Sequence, residues 1–108
     1  MPHTIAEPDW KVLRRVHSFA LDRYCQNVLA EIERVTHNTA QSAHRRYLDI
    51  FKVIERRDRD IAGTFDDLKR SNAFTMLARM PAAGLLTADE FAGLSPETRS
   101  AIEFLLGR

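Results

Sequence analysis

YLDIFKVIERRDRDIAGTFDDL, residues 47–68, places Tyr47, Phe51, Ile54, Asp58, Ile61, Phe65 and Leu68 at strict three-four spacing. That spacing lines one face of an α-helix and has the period of a coiled-coil seam. A matching stripe runs upstream through Trp10, Leu13, His17, Ala20, Tyr24 and Val28. Each stripe carries one polar gap, His17 in the first and Asp58 in the second. Between them, Thr36-His37-Asn38-Thr39 reads as a turn. Asn38 tolerates the left-handed conformation that ends helices, and Thr39 or Ser42 can cap the next start. Folded back as an antiparallel hairpin, the stripes set Trp10 against Phe65, Leu13 against Ile61, Ala20 against Ile54, Tyr24 against Phe51 and Val28 against Tyr47. His17 then meets Asp58. A slip by one heptad would leave the carboxylate buried and unpaired, at a cost of several kcal/mol. The pair is therefore expected to specify register more than to add stability. A carboxylate beside an imidazole also favours its charged form, which makes the pair a candidate pH switch.

The helix breakers frame this hairpin. All four prolines sit at 2, 8, 81 and 96, and between Asp9 and Met80 the only glycine is Gly63. Proline costs about 3 kcal/mol inside a helix and glycine about 1. The expected fold is all-α: a long antiparallel hairpin, residues 9–36 and 40–79, followed by short helices at 87–94 and 96–106. Pro8 suits the first turn of the first helix. Gly63 is a candidate kink, and Pro81 with Gly84 is expected to end the second helix. Thr87 and Glu90 have capping-box spacing, and Ser95-Pro96-Glu97 is a second start signal. No Val/Ile/Thr-rich alternating run suggests a strand. A chain of 108 residues is expected to form a single helical domain over 1–108.

Helices of those lengths do not match: the second would run about 60 Å and the first about 40 Å. Asn72, Phe74, Thr75, Met76, Leu77 and Met80 then project beyond the first helix as an apolar overhang. Either the C-terminal helices, with Leu85, Phe91, Leu94, Ile102 and Leu105, fold back over it, or a second copy docks there. The first helix is also apolar on flanks outside the hairpin seam, at Val12, Val16 and Phe19 and at Leu21, Cys25 and Leu29. The second offers Leu48, Ile50 and Val53. A helix apolar on most sides is one surrounded by others. Self-association as a homodimer is therefore expected, through a surface that includes Asn72, Phe74, Met76, Met80 and Phe91.

Chemical motifs are sparse. Glu33, His37 and His44 cluster near the turn, but the chain has no Glu-x-x-His motif of the carboxylate-bridged metal bundles. Arg14-Arg15, Arg45-Arg46 and Arg56-Arg57 are pairs that could meet phosphates. Acids interleave with them at i,i+4, as in Arg45–Asp49 and Arg56–Asp60, which reads as a solvated, salt-bridged face. With 16 basic and 15 acidic residues the net charge is +1, giving no steering toward nucleic acid. Cys25 is the single cysteine, which suits a reducing, bacterial-type cytosol. No stretch approaches the roughly 20 apolar residues that span a bilayer, and residues 1–8 hold no signal-peptide run. No catalytic residue, cofactor loop or metal set stands out.

The segment Gly84-Leu-Leu-Thr-Ala-Asp-Glu-Phe91 resembles small bacterial C-terminal oligomerisation segments of the SHOCT type. That resemblance covers about twenty residues, rests on capping chemistry, and implies self-assembly without an activity. The expected function is a small cytosolic, non-catalytic helical assembly module. The alternatives are a nucleic-acid-associated regulator using the arginine pairs and a metal-binding or pH-responsive bundle.

Overall fold

The computed structural model describes residues 5–107. It holds α1 (Glu7–Thr36), α2 (Ala43–Phe65), α3 (Ala73–Ala82), α4 (Ala88–Ala92) and α5 (Pro96–Leu105), with no strand among the described residues. The all-α class and the two short C-terminal helices agree with expectation. α1 opens on Pro8 with Glu7 and Asp9 in its first turn, where carboxylates complement the helix dipole. At its other end His37 donates from both its backbone N–H and its Nδ1 to the Glu33 carbonyl, at 3.0 and 2.9 Å. Asn38 is not left-handed, because Asp67 is the sole non-glycine with positive φ among the described residues. Ser42, rather than Thr39, caps α2 by accepting the Arg45 N–H at 3.0 Å.

The second helix does not run to residue 79. It stops at Phe65, where Asp66 is extended and Asp67 takes φ 61, a conformation that Asp tolerates better than most residues. Asn72 secures the loop that follows: its Nδ2 donates to the Asp67 carbonyl at 2.7 Å, and its Oδ1 accepts from Lys69 N at 3.2 Å. Other helices satisfy the carbonyls that α2 leaves open. Arg79 of α3 donates to Gly63 O at 2.6 Å, and His17 of α1 donates to Phe65 O at 2.8 Å. The expected overhang is thus a separate helix, α3, folded back onto the chain. Pro81 sits in its last turn rather than after it. Gly84, at φ 71, closes α3 in a Schellman motif, with Leu85 N on Met80 O at 2.8 Å and Gly84 N on Pro81 O at 3.0 Å.

The core gathers around α3. Leu13, Val16 and Ala20 of α1 meet Phe65, Ala73, Met76, Leu77, Met80, Leu85, Leu94 and Ile102. Met76 and Met80, the latter with no exposed surface, are core residues and not an association surface. The C-terminal helices cover what was read as an overhang, so that argument for a dimer falls. Two polar ties hold this layer. Arg23 of α1 reaches Leu85 O at 2.8 Å and grips Glu90 in two hydrogen bonds of 2.6 and 3.0 Å. Glu90 closes the Thr87 capping box at the same time. Asp9, fully buried, accepts from Ser95 N and Ser95 Oγ at 2.7 Å and from Thr98 Oγ1 at 2.6 Å, pinning the start of α5 to the start of α1.

The described chain measures 51 × 25 × 24 Å. Its long dimension comes from the distal half of the hairpin, where α1 beyond Val28 and the first turns of α2 extend past the core as an arm. In that arm Val53 alone is buried.

Candidate functional site

The arm owes its surface to the rotation of α2. Arg46, Ile50, Val53, Arg57, Ile61 and Thr64 are buried or half-buried and face α1, again at three-four spacing. Their contacts are partly polar. Arg57 Nε donates to Glu31 Oε1 at 3.0 Å, and Arg46 Nη1 donates to Thr36 O at 2.6 Å. The Tyr24 hydroxyl donates to Asp60 Oδ2 at 3.0 Å, while its ring meets Phe65 edge-on. Glu31 raises the Arg57 pKa further above its ordinary value, and burial raises that of the Tyr24 phenol. Both groups therefore keep their protons throughout the neutral range.

The first part of the stripe read as the hairpin seam, Tyr47 to Asp58, lies about a quarter turn away on the helix, whereas Ile61 and Phe65 of the same stripe pack inward. Tyr47 is 67% exposed, Phe51 58% and Ile54 50%, with Leu48 beside them and Asp58 exposed at the end of the row. The expected register therefore fails. His17 and Asp58 are not brought together: His17 spends its Nε2 proton on Phe65 O, and Asp58 faces solvent. The pairs Tyr24–Phe51 and Val28–Tyr47 are replaced by Tyr24–Asp60 and Glu31–Arg57. The flank Ile50 and Val53, which the sequence showed as surplus, is the side that packs.

The other predicted residues scatter. Asn72 builds the α2–α3 loop, Phe74 borders a groove with Ala101, Phe104 and Leu105, and Phe91 is half-buried against the core. His37 caps α1, and His44 is exposed at the start of α2. Among the described residues no three of the His, Cys, Asp and Glu side chains gather as a metal set. A polar cleft of about 300 Å³ lies between α1, α2 and the end of α3, lined by Tyr24, Asn27, Val28, Glu31, Arg34, Arg57 and Ala83. Its wall is the Arg57–Glu31 ion pair, a contact that already satisfies both charges. Of the paired arginines, Arg45, Arg56 and Arg57 are matched by the chain's own acids, Arg45 by Asp49 and the other two by Glu31. No helix among the described residues is long and apolar enough to cross a membrane.

The Tyr47–Phe51–Ile54 face has no role in the fold. The sequence signalled it strongly and misdirected its orientation. Comparison with protein families, curated proteins and solved structures returns no match to this chain.

Proposed function

We propose that the chain is a small, non-catalytic assembly module of the cytosol that associates with itself through the hairpin arm. One observation carries this reading: a contiguous apolar face of Tyr47, Leu48, Phe51 and Ile54 stands exposed along one side of α2. Folding does not need that face buried, and burying a large apolar side chain is worth about 1.5–3 kcal/mol. A clustered apolar patch of this kind on a small protein marks a contact site. The polar groups support the same reading, because they are engaged in holding helices together: Arg23 with Glu90, Arg57 with Glu31, Asp9 with Ser95 and Thr98. The cytosolic part of the proposal rests on the single cysteine, half-buried and free.

Sedimentation of the native protein tests the reading. A species heavier than one chain, lost on Phe51→Glu while the helical signal persists, is the expected result. A folded native protein that stays monomeric at high micromolar concentration would overturn it.

A further inference from the structure

The exposed stripe of α2 is its own complement. Tyr47 stands four residues before Phe51, and Asp58 stands four residues after Ile54. Turning the helix end for end exchanges Phe51 with Ile54 and Tyr47 with Asp58. A two-fold contact between identical chains needs this property, since residue i meets j while j meets i.

Resting on the assembly reading above, we propose that two copies pack α2 against α2 in antiparallel fashion, with the two-fold axis between Phe51 and Ile54. Each Phe51 then lies on the partner's Ile54 at the centre, and each Tyr47 hydroxyl donates to the partner's Asp58 carboxylate at the rim. The polar gap in the stripe becomes the acceptor that a phenol needs once its ring is covered. Other alignments lose this match. Parallel packing opposes Asp58 to the partner's Asp58, and like charges facing one another are disfavoured. An antiparallel slip of one heptad one way sets Ile54 on the partner's Asp58, burying a carboxylate without a donor. The opposite slip places Tyr47 on the partner's Phe51 and leaves Asp58 in water, forfeiting both hydrogen bonds. The seam is short against the roughly 800 Å² per partner of a standard stable interface, so the dimer is expected to dissociate in the micromolar range.

Crosslinking tests the alignment separately from the assembly. In a Cys25→Ala background, one preparation carries Tyr47→Cys and another Asp58→Cys. Both positions are exposed, and thermal melts of each variant establish that it folds. The expected result under mild oxidation is a covalent dimer in the mixture and none from either preparation alone, because like positions lie about 16 Å apart along the seam. If the native protein dimerises but the mixture stays uncrosslinked, or Tyr47→Cys crosslinks to itself, the alignment is overturned and the assembly reading stands. A native protein that is monomeric by sedimentation overturns both.

Discussion

A buried carboxylate shows how much of this fold hangs on single side chains. Asp9 has no exposed surface and serves as acceptor for three donors at the start of α5. Burial alone would raise its pKa, but the hydrogen bonds from Thr98 and Ser95 outweigh that and hold it below its ordinary value. Glu90 is lowered too, chiefly by Arg23. A carboxyl whose pKa is lower folded than unfolded stabilises the fold above its unfolded pKa and loses that stabilisation as pH falls through the folded value. The melting temperature is therefore expected to hold from neutrality down to about pH 5 and to drop below about pH 4. In Asp9→Asn that acid-induced drop shrinks, and stability at neutral pH falls by about 2 kcal/mol, read from denaturant unfolding. His17 acts at the same scale. Its Nε2–H closes the open carbonyl of Phe65, so His17→Ala should cost about 1–2 kcal/mol, with Asp58→Ala close to neutral. Equal losses from the two substitutions in thermal melts would contradict the observed hydrogen bonding.

At the scale of elements, starts were easier to read than ends. Pro8, Ser42, the Thr87–Glu90 box and Ser95-Pro96 are local signals, each acting on backbone within a turn of itself, and the structure uses all four. The end of α2 carries no proline, and its one glycine, Gly63, sits inside the last turn rather than after it. Asp67 and Asn72 shape the turn locally, but the last carbonyls are held by Arg79 and His17, which lie on other helices outside any short window around Phe65. Gly84 is the counterexample, an end signal that is local because its φ of 71 favours glycine. Gly84→Ala is expected to destabilise by about 1 kcal/mol in chemical denaturation without changing the helix content of the native protein.

Across the whole molecule, two apolar populations behave differently. Leu77, with no exposed surface, belongs to the core, and Leu77→Ala is expected to cost about 2–5 kcal/mol. Phe51 is more than half exposed, so Phe51→Glu should leave the stability of the single chain within about 0.5 kcal/mol while removing its association. Denaturant unfolding at low concentration, alongside sedimentation at high concentration, separates the two effects. A Phe51→Glu chain that melts as badly as Leu77→Ala would place the stripe in the core and remove the arm as a contact surface.

Composition, the confinement of breakers and the three-four spacings determined that this chain is helical, where its hairpin turns and how its last two helices begin. Those are consequences of backbone sterics and of side chains within a turn of one another. The rotation of α2 was decided only by the tertiary structure, because its apolar arc is broad enough for two orientations. The choice fell to distant partners, Glu31 for Arg57, Tyr24 for Asp60 and the Phe65 carbonyl for His17. The break that frees α3 to fold into the core had the same origin. A periodic stripe says that a face will be covered, and only the packed molecule says by what.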